Sequence, residues 1–538
     1  MSMTKSRILT AVAASIALGS LATAQTGAAI TVIKVGIDGG NQNDFAYYGQ
    51  NSGIAAYSMA TTSCNPGTAQ VIWTSSNHPV IGQNIFRYKG DRFEQLGQSW
   101  LKHGFCAVNE GGCGSCQGTS CSTLGLGCAD TYWATLNDGQ GGGPKWQVDA
   151  AVGTNIPNHP SPTGNSTIRG RLQVQVSEID PAQNPGAEYF AEAQYVSKDT
   201  CDDANGSIAN AWRRMNVVSV TNLDGGGPTN VNEPAIFAWR DMDPGVMVQD
   251  VITGEYAGSG RFTVGSRATG TGPWTYTYCV ENISSDRSGY SFDIPVPQSV
   301  PISNVFFRDV NYHSGEPYSN TDWTWEHSGG VLSFHSTQTH NENSNANALR
   351  WGTMYTFQFT ANSAPQTGQA EITLFKPGSG NDVNPVNVQL PGGAPAVGTP
   401  YCSGDGSGTF CPCLNFGDTD RGCANGTYFQ GCGITASGAA SVSNDTLVID
   451  IDRATPNQPG LLFVGDQDQN GGAGFSFGDG LRCAGGNVLR LETLTPGVGG
   501  QGSSTIDLGT GSGASAGDTL YYHFWYCYPM ASPCGNLF

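Results

Sequence analysis

The chain reads as all-β. It divides into two or three antiparallel β-sandwich domains, immunoglobulin-like or jelly-roll-like, with long Gly-rich, disulfide-bearing loops. Three observations carry this reading. Glycine supplies 75 of 538 residues and only 12% are charged, a balance that suits short strands and turns and weakens helices. Short runs alternate apolar and polar residues, as strands with one buried face must. Finally, 16 cysteines follow what reads as a secretory signal, and disulfides form in the compartments such a signal leads to.

The signal is predicted over residues 1–24. Lys5 and Arg7 give a short basic start, residues 8–21 are apolar or small, and Ala22-Thr23-Ala24 supplies the small–x–small cleavage pattern. The apolar run is too short to remain as an anchor. The mature chain is expected to start near Gln25. No later stretch is apolar enough to be a transmembrane segment, so a secreted, extracellular or cell-surface location is expected. The formal net charge of −19 repels a phosphate backbone, which excludes general nucleic-acid binding. The same acidity keeps the chain soluble and gathers cations.

Strand rhythm recurs along the mature chain. Residues 171–179, 274–280, 355–359, 371–375 and 447–451 alternate, and Trp274, Tyr276, Tyr278 and Val280 fall on one face. Phe93, Leu96, Trp100 and Leu101 sit at helical spacing and predict a short helix over 93–103. A second is predicted over 207–215, with Asp202 and Asp203 upstream as caps. Residues 377–400 are rich in Pro and Gly and read as a linker. The boundaries that follow are 25–259 for an N-terminal β-rich domain, 260–376 for an immunoglobulin-like sandwich, and 401–538 for a C-terminal disulfide-rich β domain. The end at residues 533–538 lacks the further strand a sandwich usually has. The chain reads as truncated there, or as leaving its last edge open for a partner strand.

The cysteines fall into even groups. Cys64, Cys106, Cys113, Cys116, Cys121 and Cys128 form the first, with a Cys-rich loop over 106–128. Cys201 and Cys279 stand alone in the middle. Cys402, Cys411, Cys413, Cys423, Cys432, Cys483, Cys527 and Cys534 form the last. All sixteen are disulfide candidates, and the connectivity stays open. Cys113-Gly-Ser-Cys116 has redox-pair spacing, but a Gly-rich loop surrounds it where a redox pair would open a helix.

A resemblance supports the organisation. Residues 95–105, 309–318 and 345–353 look like segments of uncharacterised secreted multidomain bacterial proteins. Residues 462–483 resemble a small Cys-containing β module that recurs at the ends of such proteins. The resemblance implies a secreted, multidomain β architecture. No activity is attached to that family, so it assigns no residue a role.

Several constellations carry chemistry. Asp466, Asp468 and Asn470 open a D-x-D-x-N-G loop in which alternating oxygens can converge on calcium. The twelfth position is Phe477, so Asp479 would have to close the site. The alternative is a polar hairpin turn. Asp309, Glu316, Asp322 and Glu326 lie among Tyr312, Tyr318, Trp323 and Trp325, the acid-plus-aromatic composition of a sugar cleft, and are the catalytic candidates of a secreted hydrolase. In residues 520–528, Tyr522, Trp525, Tyr526 and Tyr528 are candidates to stack on sugar rings. Cross-strand aromatic pairing explains the same residues without a ligand. Gly513-Ala-Ser515-Ala-Gly517 matches a nucleophile elbow in letters but lacks the strand before and the helix after. Of the eight histidines, none has the H-x-H or H-x-x-x-H spacing of a local metal pair, and His78 with His103 is the pair considered for a metalloprotein. The expectation is a structural, adhesive or glycan-binding extracellular protein with no coherent catalytic constellation. A secreted polysaccharide or polymer hydrolase is the alternative.

Overall fold

The computed structural model describes residues 25–526 except 37–43, 156, 202–208, 257–259, 299, 393–397, 438–439, 441–444, 446 and 516. The predicted signal over 1–24 therefore lies outside the described residues, as do Cys527, Cys534, Tyr528 and the side chain of Cys201. Strands dominate, and nearly all of them pair antiparallel, as the Gly content and alternation predict.

The N-terminal part builds on one large sheet. Its strands run Lys102–His103, Val80–Lys89, Glu188–Val196, Asn210–Ser219 and Asn222–Val231, with Arg92–Gln98 also pairing Val80–Lys89. Two three-stranded sheets pack with it. One joins Leu172–Gln175, Ile54–Met59 and Phe45–Asn51, and the other joins Ala129–Tyr132, Thr61–Cys64 and Thr31–Val35. Val32, Tyr57, Trp73, Ile85, Val174 and Tyr195 belong to the shared core.

Next comes a sandwich of two five-stranded sheets. The first runs Met247–Ile252, Arg261–Thr269, Trp274–Asn282, Thr353–Ala361 and Ile302–Arg308. The second runs Thr324–Ser328, Val331–His335, Gly289–Pro295, Pro365–Leu374 and Val383–Pro391. Tyr276, Tyr278 and Val280 enter the core from one face of their strand, as the alternation predicts, and meet Phe292, Phe334, Phe357 and Phe359 there. The C-terminal part has two three-stranded sheets. One is Gly433–Ser437, Val448–Asp452 and Gly502–Ser503; the other is Leu489–Leu494, Gly460–Gly465 and Tyr521–Tyr526.

Four local expectations fail. The strand expected over 171–179 ends at Gln175, and Val176–Ile179 is a short helix. The helix expected over 93–103 is the strand Arg92–Gln98, because this segment is buried on both faces and pairs with Val80–Lys89. In such a strand the apolar spacing loses its period of two. The helix expected over 207–215 is replaced, in its described part, by the strand Asn210–Ser219, held between Glu188–Val196 and Asn222–Val231. Residues 383–391, inside the expected linker, form a strand paired with Pro365–Leu374. Its two prolines sit on a sheet edge, where a missing N–H costs no ladder bond.

The disulfides join Cys64 to Cys113, Cys116 to Cys128, Cys402 to Cys483 and Cys411 to Cys423. Cys113 and Cys116 thus bond to other partners, which removes the redox-pair reading of their spacing. Cys413 is also disulfide-bonded. Of the disulfide candidates, Cys106, Cys121, Cys279 and Cys432 are free thiols. Cys279 is fully buried and faces Phe93, to whose carbonyl its thiol donates.

Candidate functional site

The strand Tyr521–Tyr526 shows how alternation sorts an all-aromatic run. Its partner is Gly460–Gly465, in the register Phe463 to His523 and Leu461 to Trp525. Tyr522, Phe524 and Tyr526 turn towards the core of Leu447, Ile449, Ile451 and Leu462. Tyr521, His523 and Trp525 occupy the opposite face. There Tyr521 packs edge-on to Tyr401 at 5.5 Å, and His523 lies 4.9 Å from the ring of Phe463. Burial pushes the His523 imidazole down to about 4. Trp525 stays 39% exposed and meets Phe477 edge-to-face at 5.6 Å.

Phe477 comes from the hairpin of Phe475–Phe477 and Gly480–Arg482. Phe475 and Phe477 are 53% and 48% exposed. Large rings left this exposed mark an interaction surface more often than a folding requirement. A cavity of about 1050 Å³ lies in the C-terminal part; its lining includes Ile434, Leu447, Tyr522, Tyr526, Phe477 and Trp525. Arg421, Asn425 and Asp479 bring polar groups to the same cavity. Asn425 donates to the Tyr526 hydroxyl at 2.8 Å, and Arg421 holds Asp452 through both of its terminal nitrogens. An apolar, aromatic cavity with a few fixed polar groups is the usual form of a small-ligand site.

The sequence candidates are thus divided. Trp525 reaches solvent, Tyr522 and Tyr526 lie inward, and Tyr528 is outside the described residues. The exposed partner Phe477 was missed, although Phe475-Ser-Phe477 before a Gly-Asp-Gly turn carries the period-two signal of a hairpin arm.

In the loop read for calcium, Asp466 accepts the backbone and side-chain amides of Asn487, at 2.8 and 2.7 Å, which hold its carboxyl below the usual range. Asp468 belongs to a short ladder with Ala484. Asn470 donates to Thr409 and to the carbonyl of Gly474. Asp479 lies at the hairpin turn, where its carbonyl accepts from Asn415. Among the described residues no three His, Cys, Asp or Glu side chains stand as a ready cation cage.

The four acids read as catalytic are split between inside and outside. Asp309 is half-buried, accepts from Asn347, and is pushed up to about 6 by burial. Glu316 is half-buried, with its carboxyl turned inward, where the N-terminal part meets the sandwich. It accepts the backbone N–H of Lys145 at 2.6 Å, and burial pushes its carboxyl up to about 7. Lys145 itself donates Nζ to Gln98 and to the carbonyl of Gly352, and burial lowers its ammonium to about 8. Asp322 and Glu326 are exposed. Asp309 and Glu316 therefore serve as hydrogen-bond acceptors between packed segments.

No family model matches the chain, and no curated protein matches it. Among solved structures, the chain is matched to a "Biofilm associated protein - B domain" at 10% identity and a TM-score of 0.12, covering 68% of this chain and 86% of that one. A "Biofilm associated protein - BSP domain" is matched at 9% identity and a TM-score of 0.13, covering 94% and 81%. TM-scores of this size establish no shared fold.

Proposed function

We propose that the chain is an extracellular surface or matrix protein of adhesive type, and that its C-terminal part binds glycan chains. The observation that carries this reading is the aromatic cavity of that part, with Trp525 and Phe477 exposed beside one another. Sugar rings present C–H faces that suit an aromatic plane, and their hydroxyls need donors and acceptors such as Asn425, Arg421 and Asp479. The setting agrees. Disulfides bracket the cavity through Cys402–Cys483 and Cys411–Cys423, as suits an oxidising compartment. Among the described residues no helix is long and apolar enough to cross a membrane.

The test is binding of the full mature chain to a panel of insoluble and soluble polysaccharides. Trp525→Ala and Phe477→Ala should each weaken binding by about fivefold, the worth of one stacking ring at roughly 1 kcal/mol. Phe105→Ala, an exposed ring of the N-terminal part, should change nothing. Absence of binding across the panel, or Trp525→Ala and Phe477→Ala both binding as the parent does, would remove the glycan reading.

A further inference from the structure

Four of the six N-terminal cysteines are bonded to one another, and Cys106 and Cys121 remain as thiols in the same loop. The fold brings these two together before any bond joins them. Ala107, next to Cys106, is buried in the N-terminal core and donates its backbone N–H to the Cys121 carbonyl at 2.8 Å. Asn109 pins the same two segments further along. Its side-chain amide donates to the Thr123 carbonyl at 3.0 Å, and its side-chain oxygen accepts the Gly125 N–H at 2.7 Å. With the backbones held in this way, the Cys106 and Cys121 side chains meet, and their thiols hydrogen-bond to each other. That bond is the main reason the Cys106 thiol stands above its usual value.

We propose that Cys106 and Cys121 form a reversible disulfide, a solvent-facing couple that closes and opens by exchange with low-molecular-weight disulfides and thiols.

Position sets this pair apart from the bonds already closed. Cys64–Cys113, Cys116–Cys128, Cys402–Cys483 and Cys411–Cys423 each keep at least one cysteine buried. Cys106 is half-buried and Cys121 is exposed, so neither is sealed from a soluble reagent. Exchange needs a sulfur that a thiolate can reach, which makes exposed disulfides the labile ones. Closure also asks little of the backbone. Segments one backbone hydrogen bond apart lie about 5 Å from each other, within the range a disulfide spans.

Closure runs as two exchanges. The Cys121 thiolate, on the more exposed sulfur, attacks a soluble disulfide. That S–S bond breaks, one soluble thiolate leaves, and a mixed disulfide remains on Cys121. The Cys106 thiol then gives up its proton, and its thiolate displaces the second soluble thiolate. Two protein thiols are oxidised, one soluble disulfide is reduced to two thiols, and the two protons end on the thiolates that left. An excess of soluble thiol runs the same steps backwards.

The test is cysteine mapping by mass spectrometry on the full mature chain, recovered from an oxidising compartment without reductant and alkylated on denaturation. A peptide pair joined through Cys106 and Cys121 is expected. In the native chain, graded dithiothreitol should free these two cysteines at a concentration about tenfold below that needed for Cys64, Cys113, Cys116 and Cys128. Oxidised glutathione should then close them again. In Cys121→Ser, Cys106 is left as a single thiol and should take up one glutathione. The proposal is overturned if Cys106 and Cys121 stay alkylatable after oxidised glutathione, or if either is found bonded to another cysteine. It is equally overturned if reductant opens the other N-terminal disulfides at the same or a lower concentration, or if Cys106 takes up no glutathione in Cys121→Ser.

Discussion

At the scale of single residues, Glu316 concentrates the conflict between burial and charge. Its carboxyl is sealed against the backbone of Lys145, and burial outweighs the nearby cations in raising it to about 7. A carboxyl raised on folding keeps its proton longer in the folded chain than in the unfolded one. Folding is therefore undisturbed below the ordinary Glu value of 4.5 and is progressively penalised as pH rises from there to about 7. Glu316→Gln keeps an acceptor oxygen and removes the titration. Calorimetric melting should show the variant close to the parent at pH 4.5 and more stable at pH 8, by up to about 3 kcal/mol for a shift of this size. A difference in melting that does not change with pH would refute the assignment. The sequence made Glu316 and Asp309 legible as acids among aromatics. It could not show that Glu316 meets Lys145 across a separation of 171 residues, and that contact makes the group internal. The same holds for His78, His103 and His159. Each looks ordinary in its own segment, and only the fold stacks their rings, at 5.0 and 4.6 Å, with His78 and His103 hydrogen-bonded to each other.

At the scale of elements, the strand Val383–Pro391 separates what local pattern shows from what composition suggests. Its Pro and Gly neighbours read as a linker. Yet Asn384, Val386, Val388 and Leu390 alternate inward against the sandwich, and Val388 is completely buried. The period-two signal was present, but the prolines masked it. Val388→Asp should lower the stability of the sandwich by several kcal/mol, since it buries an unpaired charge in place of an apolar side chain. Asn387→Asp, on the exposed face of the same strand, should change it by less than about 0.5 kcal/mol. Equal effects of the two substitutions in a denaturant titration would mean that the strand is not part of the sandwich. Arg92–Gln98 makes the opposite point. A strand covered on both faces has no alternation to read, and the spacing of Phe93 and Leu96 then imitates a helix.

At the scale of the whole molecule, the N-terminal part and the sandwich are joined by a buried seam. Met354 donates its backbone N–H to Gln95, Thr356 donates its hydroxyl to the Phe93 carbonyl, and Gln98 donates to Asn311. Phe86, Phe93, Phe190, Trp212, Trp239 and Met354 close around the helix Ile236–Met242 in a core drawn from both parts. Within it Glu192 and Glu281 hydrogen-bond to each other and accept the backbone N–H groups of Ala235 and Ile236. Burial raises both carboxyls, and for Glu281 the charge of Glu192 adds to the rise. A hydrogen bond between two carboxyls needs a proton on one of them, so the pair titrates as a unit above the ordinary Glu range. Cys279 lies in the same core, its thiol pushed up by burial, so it can serve as a reporter of whether the seam opens. A thiol reacts as the thiolate, and this one can ionise only when water reaches it. Alkylation of Cys279 should therefore be undetectable in the native chain at pH 7, and in urea it should track the loss of near-ultraviolet circular dichroism. Because a raised carboxyl favours folding only while protonated, pH rising above the ordinary Glu value of 4.5 should loosen the seam. Labelling of Cys279, corrected for the thiolate fraction of a free cysteine, should then accelerate more in the parent than in Glu281→Gln. Labelling at urea concentrations that leave both sheets intact would show that the two parts separate before either unfolds, and the seam would then be a hinge.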